Sequence, residues 1–181
     1  MSSFSNEIAR SYDVFIKHNF QNHDGEIPIW AAVEVMSFGT LLKIIKNLKT
    51  GDNSSYSVFA NYYCYRTQNE RLARPSKDML IFWIQVTSVL RNMCAHNSRI
   101  YNRAINTAPQ LPRMDQISPP PQYNGLYQVI LALKYLRPHN VVWNQFVSDL
   151  SALFEKYDGT IEFQRLNFPE NWIEHFTIEE E

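Results

Sequence analysis

The sequence predicts an all-α protein built as a single helical bundle. Two observations carry this. Apolar residues recur at helical spacing in one segment after another. Only 5 glycines and 9 prolines punctuate 181 residues, which leaves room for long helices. The length suits one domain. An apolar share of 45% against 19% charged is enough for a buried core. No repeat and no second-domain boundary is visible, so residues 1–181 are expected to form one domain.

The first helix runs from Asn6 to about Phe20, with Ile8, Tyr12, Phe15 and Ile16 on one side. Asn22-His-Asp-Gly25 breaks it. Pro28 suits the first turn of a second helix, where a missing N–H costs little. That helix carries Ile29, Trp30, Val33, Met36, Leu41, Ile45 and Leu48, and stops at the breaker cluster Thr50-Gly-Asp-Asn53. Residues 54–65 read as a short helix, although Tyr62, Tyr63 and Tyr65 also suit a strand. Ser76 is a plausible N-cap for a fourth helix through Met79, Leu80, Trp83, Ile84, Thr87 and Leu90. Residues 108–122 hold five prolines and read as a surface loop long enough to be functional. Tyr123 to Leu136 and Val141 to Tyr157 give two more helices, split at Arg137-Pro-His-Asn140. A last helical turn opens after Pro169.

A formal net charge of −1 gives no bulk attraction for a polyanion. Nucleic-acid contact would need a local patch, drawn from Arg66, Arg71, Arg74 and Lys77, or from Arg91, Arg99 and Arg103. The default reading of such scattered charges is a solvated surface. Cys64 and Cys94 are too few for a disulfide scaffold or metal cluster, and their apolar neighbours suggest buried thiols. The first residues do not resemble a signal peptide, and no apolar run reaches the ~20 residues of a membrane span. A cytoplasmic protein with no membrane partner is expected.

One segment carries chemistry: Arg91-Asn-Met-Cys-Ala-His96, near the end of the fourth helix. Arginine keeps its charge and presents a planar fork of donors to phosphate oxygens. Histidine exchanges a proton near neutral pH. Positions five apart lie ~140° around an ideal helix, however, so the two groups do not share a face. Either the helix loosens near His96, or the groups converge with partners from another helix or subunit. A purely structural reading pairs Arg91 with Glu34, an acid within the apolar run Val33-Glu34-Val35-Met36, and leaves His96 capping a helix end. Other chemistries have less support. There is no glycine-rich phosphate loop, no H-E-x-x-H and no G-x-S-x-G. His18 and His23 lack ligand company, so neither a metal nor another cofactor is expected. Phe59, Tyr62, Tyr63 and Tyr65 offer rings that either stack bases or fill the core.

Three segments resemble the Abi family of bacterial abortive-infection proteins: Ile27–Thr40, Arg91–Asn102 and Asn167-Phe-Pro-Glu-Asn-Trp172. In the family a glycine often precedes the Phe-Pro, and here that place is Asn167. The resemblance spans roughly residues 20 to 176. It implies that a further N-terminal helical region common in the family is absent from this chain.

The Abi family is in turn similar to the HEPN superfamily, small helical domains marked by R-x(4–6)-H with a polar residue after the arginine. Arg91, Asn92 and His96 fit that pattern. The resemblance implies a metal-independent endoribonuclease acting in phage defence or as a toxin. It also implies a homodimer in which two motifs face each other in a composite cleft. His96 would serve as general base or acid, Arg91 would hold the phosphate, and Asn92 would orient either. Asn97, Arg99, Tyr101, Asn102 and Arg103 are candidates for support or RNA contact. RNA is the expected substrate, with an antitoxin or noncoding RNA as a candidate further partner. The alternative is a non-catalytic helical module that holds RNA or protein, with Arg91 and His96 structural.

Overall fold

A computed structural model describes residues 3–116, 123–137 and 140–178. The chain is predominantly helical, as its apolar periodicity implies. It divides into two compact units, Met1–Lys49 and Thr50–Glu181. The division falls at the breaker cluster of residues 50–53.

The first unit holds α1 (Ser3–Arg10), α2 (Val14–Asn22), α3 (Ile29–Val35) and α4 (Phe38–Asn47). Each of the two long helices expected here is instead two short ones. Residues 11–13 interrupt the first, where the Ser11 hydroxyl donates to Asp13 Oδ2 (2.6 Å) and accepts the Asp13 N–H (3.2 Å). Such local bonds offer the backbone an alternative to the helix. Ser37 interrupts the second. It turns extended and caps α4, its Oγ accepting the Thr40 N–H at 3.2 Å. Glu7 reaches this cap from α1 and accepts hydrogen bonds from Ser37 Oγ (2.6 Å), Thr40 Oγ1 (2.8 Å) and the Ser37 N–H (3.2 Å). Ile16, Ala31, Ala32 and Ile45 form the buried apolar positions of this unit.

The second unit opens with α5 (Ser55–Ala60), capped by Ser54, and a 3-10 turn at Asn61–Tyr63. A short antiparallel hairpin follows, β1 (Tyr65–Arg66) on β2 (Leu72–Ala73), with Tyr65 opposite Ala73. Both sequence readings of residues 54–65 therefore hold in part. Then come α6 (Lys77–Ala95), a 3-10 turn at Arg113–Asp115, α7 (Leu126–Leu136), α8 (Asn140–Lys156), a 3-10 turn at Phe163–Leu166 and α9 (Trp172–Phe176). Residues 117–122 of the proline-rich loop lie outside the described residues, as do Pro138 and His139.

Helix α6 starts where the sequence places it: Ser76 Oγ accepts the Met79 N–H at 3.2 Å. It packs along α7. Trp83 is fully buried and stacks on Tyr135, with ring centroids 4.8 Å apart and planes 18° apart. Tyr65 meets both rings edge-on. Such aromatic pairs contribute ~0.5–1.5 kcal/mol beyond area burial. Trp83 Nε1 also donates to Gln110 O (2.8 Å), pinning the following loop to the helix. The buried Asp115 accepts from the Tyr135 hydroxyl and fixes the loop's 3-10 turn on α7. Burial, and then that carboxylate, push the Tyr135 phenol well above its ordinary pKa.

The core of this unit is aromatic and lies among α7, α8 and α9. Tyr127, Trp143, Phe154, Phe168, Trp172 and Phe176 are all buried. Most of their contacts are edge-to-face, as ring quadrupoles favour. The entry to α7 is tight. A Cβ on Gly125 would stand 2.8 Å from Leu166 O, closer than any side chain tolerates.

Candidate active site

Arg91, Asn92 and His96 occupy the final turn of α6 and its cap. The reason lies in the helix's burial pattern. Leu80, Ile81, Trp83, Ile84 and Val86 bury the first half of α6, but beyond Leu90 only Met93 is buried. Residues 91, 92, 94, 95 and 96 are all exposed. Cys94 is thus not a buried thiol: it follows Met93 by one residue, and ~100° of helical rotation carries it into solvent. Cys64 is half-buried.

The helix does not loosen before His96. Its N–H still reaches Asn92 O at 3.0 Å, so the last turn is intact. His96 is the C-cap residue (φ −98°, ψ 14°), and Asn97 turns left-handed at φ 49°. The Asn97 N–H then bonds Cys94 O (3.1 Å) and the Ser98 N–H bonds Met93 O (2.8 Å). This is a Schellman closure, and asparagine is the commonest substitute for glycine at its left-handed position. Asn97 therefore has a backbone role that accounts for its identity. Ser98 completes the closure and was passed over in the sequence. An asparagine just past a helix end was the signal available.

Arg91 Nη1 donates to Asn92 Oδ1 at 3.0 Å, so the two adjacent polar side chains of the motif are joined. Among the described residues, no side chain hydrogen-bonds the His96 ring. With the turn intact, Arg91 and His96 project ~140° apart around the axis.

The remaining candidates scatter. Arg99 and Arg103 are exposed. Asn102 is left-handed at φ 51°, a turn position that suits asparagine. Tyr101 packs against the aromatic core, and its hydroxyl accepts the Glu162 N–H at 3.1 Å, which ties the segment to the start of the 3-10 turn before α9. Glu34 is exposed on α3, so it is not the buried carboxylate that its apolar neighbours suggested. Of the aromatic stripe, Phe59 and Tyr63 pair edge-on, Tyr65 joins the Trp83–Tyr135 stack, and Tyr62 is 84% exposed. Among the described residues, no three His, Cys, Asp or Glu side chains gather as metal ligands, and no helix is long and apolar enough to cross a membrane.

The Asn167 motif is built around a backbone need. Asn167 sits at φ 63°, the left-handed region where glycine is least strained. Its amide also donates to Tyr123 O at 2.5 Å, clamping the approach to α7. Phe168 and Trp172 then enter the aromatic core.

No curated protein sequence and no solved structure matches the chain. The sequence model of a family described as Abi-like protein matches residues 1–102. That stretch contains the segments 27–40 and 91–102 whole and stops short of 167–172. Covering more than half of the chain, the match shows that this protein belongs to the Abi-like family.

Proposed function

We propose that the protein is a metal-independent endoribonuclease of HEPN type that acts in phage defence and works as a homodimer. The observation that carries the reading is the joint exposure of Arg91, Asn92 and His96 at the end of α6. Family membership supports the setting, since abortive infection is the role its name denotes. The ~140° between Arg91 and His96 supports the dimer. One helix end cannot close both groups on one phosphate, and a second copy supplies the missing half.

The chemistry needs only side chains. A ribose 2′-hydroxyl loses its proton to one His96 and attacks the adjacent phosphorus. The bond from phosphorus to the 5′-oxygen breaks, and that oxygen takes a proton from the second copy's imidazole. The products are a 2′,3′-cyclic phosphate and a 5′-hydroxyl. Arg91 offsets charge on the non-bridging oxygens, and its bond to Asn92 presets the guanidinium. DNA, with no 2′-hydroxyl, is not a substrate.

Purified protein incubated with cellular RNA in EDTA is expected to cleave it. Arg91→Ala and His96→Ala should each reduce cleavage by roughly 100-fold or more. Because both side chains are exposed, the melting temperatures of these variants should stay close to the parent's. Cleavage unchanged in both variants overturns the reading. A large loss of stability in both favours a structural pair in a binding module.

A further inference from the structure

The first unit contains a cavity that the proposed reaction does not use. It lies at the elbow between α1 and α2 and measures ≈ 630 Å³, within the size range of small-ligand sites. Its wall chemistry is one-sided. Arg10, from the last turn of α1, and Lys17, from α2, both line it, and no acid does. Asp13, next to Tyr12 in the chain, is held by the Ser11 hydroxyl and is not part of the wall. Among the described residues, neither Arg10 nor Lys17 forms an ion pair. Two aromatic rings complete the wall, Tyr12 and Phe20, at 86% and 53% exposure. Lys17 Nζ stands 5.3 Å from the Tyr12 ring centre, which leaves that ring's other face open. Ile16, 1% exposed, is the apolar floor, and Gln21 offers an amide that can both donate and accept.

Two cations without acidic partners attract a dianion, and exposed rings attract a planar partner. Both attractions meet in one ligand class. We propose that this cavity is a nucleotide site, which seats a base against Tyr12 and Phe20 and its phosphate between Arg10 and Lys17. The phosphate gains charge-assisted hydrogen bonds, and the base gains a stacking surface that tolerates any sequence. The nucleotide is either free or one unit of an RNA strand, and the chemistry is the same for both. The site does not depend on the ribonuclease reading, because it needs neither Arg91 nor His96.

The test uses the full-length chain with His96→Ala, so that RNA survives the measurement. A fluorescent oligouridylate is titrated by anisotropy, with unlabelled uridine monophosphate as competitor. Binding is expected, and Tyr12→Ala and the double variant Arg10→Ala/Lys17→Ala should each weaken it by roughly tenfold. The double variant should also lower the salt dependence by ~1.4 in log–log slope, the share of two phosphate contacts on a single strand. Circular dichroism confirms that these exposed substitutions leave the helices intact. Displacement by the monophosphate identifies the free nucleotide as sufficient; binding of the oligomer alone identifies a strand. Equal affinity in both sets of variants overturns the site, as does failure of both probes to bind. Loss of binding in Arg91→Ala alone also overturns it, because the RNA is then held at the end of α6.

Discussion

Asn167 holds φ 63° and at the same time donates its amide to Tyr123 O. A residue with a Cβ pays ~1–2 kcal/mol for that backbone conformation, and asparagine offsets part of the cost by bonding locally. Asn167→Ala keeps the strain and loses the bond, so it should lower stability by roughly 1–2 kcal/mol. Asn167→Gly loses the bond and relieves the strain, so it should retain about 1 kcal/mol more than the alanine variant. Urea unfolding of the two variants beside the parent checks the order. The sequence showed asparagine where the resemblance to the Abi family leads one to expect glycine, and a left-handed turn is the physical reason both residues fit. What it did not show is the amide's partner 44 residues away, because no local pattern encodes a long-range bond. The same limit applies to Glu34 and Cys94. Apolar neighbours suggested burial for both, yet the rotation of a helix turned each outward.

Helix α6 was legible from its N-cap serine to its polar end, because a long apolar period with a capping residue is the strongest local signal. Helices α1 to α4 were legible in their apolar content but not in their breaks. The period runs through residues 11–13 and 36–37 almost undisturbed. What stops α3 and starts α4 is Ser37, and its cap is completed by Glu7, 30 residues earlier. This bridge has a pH signature. The hydroxyls of Ser37 and then Thr40 hold the Glu7 carboxyl below its ordinary value of 4.5. A depressed folded-state pKa means the contribution is complete above 4.5 and fades as pH falls through the folded value. Glu7→Gln should therefore speed amide exchange at Thr40 near neutral pH. The difference from the parent should shrink toward zero as the parent's own carboxyl protonates below 4.5. An equal difference at all pH values would show that the carboxylate's charge is not what steadies the cap.

At the scale of the whole molecule, the helical class was legible because composition and period agree. The division into two units was not, since the breaker at residues 50–53 looks like any interhelical turn. The family match crosses that division and ends with the Arg91–Asn102 segment. The candidate site was legible as residue types and spacing, and the ~140° between Arg91 and His96 was legible as a geometric puzzle. The intact final turn of α6 keeps that puzzle in place. A composite cleft requires two copies, so sedimentation at micromolar concentration should give twice the mass of one chain. A monomer at every concentration would remove the second imidazole from the mechanism.

The tip of α6 is anchored by one buried side chain, Met93, and closed by main-chain bonds of Asn97 and Ser98. The exposed side chains at its end thus stand on a frame whose closing bonds are main-chain ones. Point changes at the exposed positions 92 and 96 should cost the scaffold little. The end of this helix can therefore change its side-chain chemistry one codon at a time while its main-chain closure stays the same.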